Sequence, residues 1–105
     1  MFDTTEAEVL AVYKRLKDRY ALTLTTLCAQ YEKSTIDGPL IIGKAHGQII
    51  ELYEDGAMLV LDVMDEQRTE GTHWHPYDAE DAVKDIMEFM DGRSDYHLRP
   101  FPNSK

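Results

Sequence analysis

Cysteine is nearly missing from this chain of 105 residues: Cys28 is the only one, so no internal disulfide can form and a reducing, cytoplasmic setting is expected. No apolar run approaches the ~20 residues of a membrane-spanning helix. Residues 1–6 lack the basic stretch and apolar core of a secretory signal. Serine is confined to Ser34, Ser94 and Ser104, none in the setting of a nucleophile elbow. Gly43-x-x-x-Gly47 is followed by no Lys-Ser/Thr and opens no helix, so it is no phosphate loop, and no cofactor is expected. Bases are outnumbered, eleven against twenty acids, for a formal charge of −9. That balance disfavours nucleic-acid binding.

The acids are unevenly placed. Residues 51–92 carry thirteen acids and two bases, Arg68 and Lys84, a net −11 against +2 for the rest. The basic counterpart is Lys14, Arg15, Lys17 and Arg19. Such runs are commonly the wet faces of helices. The alternative is a field that steers a basic partner, since steering raises association rates without deciding the fold.

No repeat, low-complexity tract or Gly/Ser linker interrupts the chain, so residues 1–105 read as one domain, with 93–105 a tail that packs or frays. Val9, Tyr13, Leu16, Tyr20, Leu24, Leu27 and Tyr31 recur at steps of three and four, which predicts a helix over residues 5 to about 32. Thr5 and Glu8 form a candidate capping box. The threonines of residues 22–26 are the weak point, where the alternative is a kink or stop near Tyr20 with the helix continuing as a second segment. Residues 34–39 read as a turn.

Strand patterns cover residues 40–45, 48–54 and 57–64, with residues 72–75 a fourth candidate. Asp55-Gly56 predicts a two-residue hairpin that sets Tyr53 opposite Met58 and Leu52 opposite Leu59. Alternation then gives Ile50, Leu52, Leu59, Leu61 and Val63 one uniformly apolar face. If His46-Gly47 is a second tight turn, Gly43 and Ala45 join that face. The other face is mixed: Leu40, Ile42, Ile49, Tyr53, Met58 and Val60 surround Lys44, Glu51 and Asp62, and it either meets a partner or is covered by the long N-terminal region or by the tail with Phe101. Asp78 is a candidate N-cap for a helix with Ala79, Ala82, Val83, Ile86, Phe89 and Met90 inward, Glu80 paired to Lys84, and Gly92 as its stop. The expected fold is α+β: a two-layer sandwich of an N-terminal helix, a three- or four-stranded antiparallel meander and a C-terminal helix.

Three constellations bear on chemistry. In His73-Trp74-His75 the imidazoles stand two apart and could share a metal, with Glu51, Asp62 or His46 as third ligand; Trp74 would point to the core. Glu51 and Asp62 on one face could form an acid pair. Cys28, within the apolar series, reads as an inert thiol. None amounts to a catalytic set, so the leading expectation is a non-catalytic acidic domain that docks a basic protein or self-associates through its mixed sheet face. The residues expected to carry this are Tyr53, Met58, Glu51 and Asp62, together with Glu80, Asp81, Asp85 and Glu88 on the last helix. Toxin-neutralising immunity proteins, which blanket a basic active site, are an analogy of fold and charge. The alternative is a metal-binding module or metal-dependent enzyme built on His73 and His75.

Overall fold

The computed structural model describes residues 4–35, 37–93 and 99–100. Its frame is an antiparallel sheet with the strand order β1-β2-β3-β4-β5-β6, each strand beside its sequence neighbour. The elements are α1 (Thr4–Leu16), β1 (Leu22–Thr26), α2 (Leu27–Gln30), β2 (Pro39–Ala45), β3 (Gln48–Asp55), β4 (Met58–Asp65), β5 (Glu70–Trp74), α3 (Ala79–Met90) and β6 (Arg99–Pro100). The helix–meander–helix order follows the expectation, with two further strands at the edges.

The long N-terminal helix is corrected. It stops at Leu16, and residues 22–26 form an edge strand whose Leu24 pairs with Ile41 and Leu22 with Gly43. Leucines and threonines alternate there, and the β-branched threonines favour an extended chain. Placing this segment against β2 completes a ladder that a helix would leave open. A single turn, α2, follows, capped by the Thr26 hydroxyl accepting from the Ala29 N–H at 3.2 Å. Thr5 of the expected capping box lies outside the described side chains.

The central hairpin turns on Gly56-Ala57 rather than Asp55-Gly56, so Asp55 faces Met58, Tyr53 faces Val60 and Leu52 faces Leu61. Gly56 takes φ +69 and Ala57 is not left-handed, the pattern of a turn with glycine at its first central position. The expected register is therefore off by two residues, and every side chain keeps its face because alternation has period two. His46 (φ 57) and Gly47 (φ 74) make the second tight turn.

Ile50, Leu52, Leu59, Leu61 and Val63 are buried as the core face, under Val9, Val12 and Leu16 of α1 and Ala82, Val83, Ile86 and Phe89 of α3. Gly43 permits the close approach: a Cβ there would meet Leu22 Cδ2 at 2.9 Å and Met90 Sδ at 3.2 Å. Asp78 caps α3, accepting from the Asp81 N–H at 3.0 Å, and Gly92 ends it at φ +72. Asp78→Ala is expected to remove about 1 kcal/mol. Thermal unfolding should register that as a drop of roughly 4–8 °C.

The mixed face is also covered. Leu27 of α2 packs with Leu40, Ile42, Ile49 and Met64, and Tyr31 and Tyr53 close over them. Of the two outcomes open for this face, cover by the N-terminal region is the one found, and the face is largely an interior. Of the tail, Arg99 and Pro100 pair with Gly71 and Glu70; residues 94–98 and 101–105 lie outside the described residues. Among the described residues no helix is long and apolar enough to cross a membrane.

Candidate functional site

A pocket of about 380 Å³ opens on the mixed face, lined by Leu27, Tyr31, Ser34, Glu51, Tyr53, Asp62, Met64 and Arg68. Strand register sets its floor, because Glu51 of β3 stands directly opposite Asp62 of β4, and Asp62 opposite His73 of β5. Three ionisable groups thus lie in a row across neighbouring strands.

Glu51 is 2% exposed. A carboxylate so far from water needs charge and hydrogen bonds, and two elements outside β3 supply them. The Tyr31 hydroxyl, from the end of α2, lies 2.6 and 2.8 Å from the two carboxylate oxygens and donates to them. The Arg68 guanidinium donates to Glu51 at 2.8 Å and also to the Tyr31 oxygen. Its carbon stands 5.4 Å from the Tyr31 ring centroid. Burial first, then the bond to Glu51, pushes the Tyr31 hydroxyl well above its ordinary pKa.

Arg68 reaches this position through a backbone most residues avoid, φ +62. The β4–β5 loop is tied down by Asp65: its carboxylate accepts from the N–H groups of Thr69 and Glu70, both at 2.8 Å, and from the Thr69 hydroxyl at 2.7 Å. Those bonds hold the Asp65 carboxyl below its usual range. Arg68 N–H closes the loop onto the Asp65 carbonyl at 3.0 Å.

Asp62 forms the other half of the floor. His73 Nδ1 lies 2.6 Å from one of its oxygens, and the Tyr53 hydroxyl donates to the other at 3.4 Å. Burial raises the Asp62 pKa, with the His73 bond working in the opposite direction. Tyr53 is raised well above its ordinary value, by burial and then by the charge of Asp62. Leu27 and Met64 give the pocket apolar walls.

The residues expected to form one docking surface separate into three places. Tyr53, Glu51 and Asp62 meet in the pocket. Met58 is 51% exposed beside the hairpin turn, in a groove shared with Tyr77. Glu80, Asp81, Asp85 and Glu88 ride on α3, which covers the opposite face of the sheet. Two of these four acids are engaged within the molecule. Glu80 pairs with Arg15 of α1 rather than Lys84, and Asp85 accepts from the Trp74 indole N–H at 3.0 Å. Asp91 takes the Tyr20 hydroxyl at 2.8 Å and stands 4.0 Å from Arg19. The basic and acidic clusters thus meet across the α1–α3 contact.

His73 and His75 do come together, ring centroids 5.0 Å apart and edge to face. The proposed third ligands are otherwise engaged: Glu51 by Tyr31 and Arg68, Asp62 by His73 and Tyr53, and His46 by the Met90 carbonyl at 3.2 Å. Among the described residues no group of three or more His, Cys, Asp and Glu is placed to hold a metal ion. Cys28 is half-buried, its thiol 3.6 Å from the Ser34 carbonyl.

Sequence reading missed the roles of Tyr31, taken as one more step in a helix, and of Arg68, counted only as one of two bases in the acidic stretch. A signal for Arg68 existed: a base among thirteen acids is where an ion pair should be sought. Comparison with protein-family models, curated proteins and solved structures finds no match, so the functional reading rests on this geometry.

Proposed function

We propose that the chain is a non-catalytic binding domain that docks a basic protein partner, such as a basic toxin or enzyme, and seats one of its lysine or arginine side chains in the Tyr31–Tyr53 pocket. The observation supporting this is the pocket's composition: two carboxylates, Glu51 and Asp62, against one guanidinium, between apolar walls. Glu51 is balanced by Arg68. Asp62 is held by His73 at 2.6 Å through one oxygen and only at 3.4 Å by Tyr53 through the other, and that second oxygen is where an incoming cation would be received. A long basic side chain matches both parts, its aliphatic stem against Leu27 and Met64 and its charged head at Asp62. Arg68 illustrates the mode within the molecule, lying over the Tyr31 ring while bonded to a carboxylate. The net −11 of residues 51–92 would draw such a partner in. A cytoplasmic location fits the single thiol.

The test is a nuclear magnetic resonance titration with N-acetyl-arginine amide, N-acetyl-lysine amide and, as uncharged control, N-acetyl-norleucine amide. The cationic probes are expected to bind in the millimolar range, roughly −4 kcal/mol, moving the amides of Tyr53, Asp62 and Met64. Added salt should weaken them, and Asp62→Asn should abolish the effect. Equal binding of the norleucine probe, or unaltered binding to the Asn variant, would sink the reading.

A further inference from the structure

The outer edge of β1 differs from the rest of this acidic molecule. Leu22–Thr26 contains no charge and no proline, and its pairing to β2 runs through all five residues without a bulge. Among the described residues β1 has a strand neighbour on one side only. Edge strands of monomeric proteins are commonly guarded by lysine, proline or a bulge; this one has none of the three. Beside it lies a groove lined by Leu10 of α1, Leu24, Thr25, Thr26 and the chain at Asp37–Pro39. Leu10 is 37% and Leu24 39% exposed, two of the four large apolar side chains so exposed among the described residues, the others being Met58 and Tyr77.

We propose that this edge pairs with the same edge of a second copy of the chain, antiparallel about a two-fold axis at Leu24, joining two six-stranded sheets into one. The symmetry sets Leu24 against Leu24, Thr23 against Thr25 and Leu22 against Thr26, with Leu10 closing over the leucines from α1. An isologous contact of this kind uses the patch it already has, and strand addition satisfies the outward backbone groups while the groove takes alternate side chains.

Charge selects a second copy as the occupant. Residues 1–50 carry six acids and six bases, whereas residues 51–105 hold the whole net charge of −9. Residues 22–26 carry no charge at all, so two copies of this acidic chain meet little repulsion where those strands approach. Residues 14–19, before the strand, are net +3, of which Arg15 and Arg19 already face Glu80 and Asp91 of their own chain, and residues 27–38, after it, are net −1. Antiparallel pairing brings the basic approach of one copy toward the acidic exit of the other. The self-association expected from sequence through Tyr53 and Met58 is thereby moved: Tyr53 is occupied in its own pocket, whereas among the described residues β1 keeps one edge without a strand neighbour.

Sedimentation of the full chain over a range of concentrations tests this. A dimer is expected, half-formed at roughly 10–100 μM, as suits an interface near the small end of stable ones. Leu24→Lys and, separately, Thr23→Lys change exposed residues and should weaken it at least tenfold with unchanged circular dichroism. Met58→Glu, on the distant hairpin turn, should leave it intact. Amide exchange at residues 22–26 should slow as concentration rises. A monomer at every concentration overturns the proposal and leaves the edge to an extended segment of another protein. A dimer indifferent to both lysines, or dissolved by Met58→Glu, overturns it as well.

Discussion

Arg68→Met is expected to cost about 3 kcal/mol of folding stability, read as a lower urea midpoint at unchanged slope. The substitution keeps most of the side chain's bulk and removes only its charge and donors. Glu51, 2% exposed, would then hold a carboxylate in an apolar setting with Tyr31 as its remaining partner. Removing one member of a buried pair costs about 3–5 kcal/mol, and the low end applies because the Arg68 side chain keeps 29% of its exposure. Glu51→Gln in the same chain should restore most of the loss, since a neutral amide needs no counter-charge. Arg68→Gly should be about 1 kcal/mol less harmful than the methionine variant, because glycine relieves the φ +62 backbone. A loss below about 1 kcal/mol for Arg68→Met would show that the pair does not hold the pocket together.

Raising the pH past about 10 is expected to destabilise the fold steeply. Tyr31 and Tyr53 both have hydroxyls pushed upward, in each case first by burial. In the unfolded chain they ionise near their ordinary value, while the folded chain keeps its protons. Above that value the unfolded state therefore binds fewer protons than the native state, and stability falls with pH. The contribution is fully present below pH 10 and disappears as the pH climbs toward the raised folded values. Denaturant midpoints followed from about pH 8 to 11 should show a slope of about two protons in the wild type, about one in Tyr31→Phe or Tyr53→Phe, and in the double variant only the smaller contribution of Tyr20, which burial and its bond to Asp91 also raise. An undiminished slope in the double variant would assign the alkaline transition to other groups.

Much of the architecture was legible because it depends on local rules. The steps of three and four in α3, the Asp78 cap and the Gly92 stop are properties of a few neighbouring residues, and the structure keeps all of them. The hairpin was legible in kind but not in its last detail. Gly56 serves as first or second central residue at nearly equal cost, and the choice slides the strands by two residues without turning any side chain over. The N-terminal region went the other way. Residues 22–27 carry leucines at both helical and alternating intervals, and local pattern cannot choose between them. The unpaired edge of β2 chose.

The site was legible by half. Glu51, Tyr53 and Asp62 share a face by alternation alone, so their common placement follows from the order of residues in β3 and β4. That this face is a pocket floor was decided by contacts far apart along the chain: Tyr31 reaches Glu51 from twenty residues away and Arg68 from seventeen. The composition determined the acidic charge and the division of each strand into an inner and an outer side, because periodicity and charge are carried residue by residue. Only the packed structure decided that a buried carboxylate would collect its tyrosine and arginine, since burial creates the need for partners and the fold determines which ones are within reach.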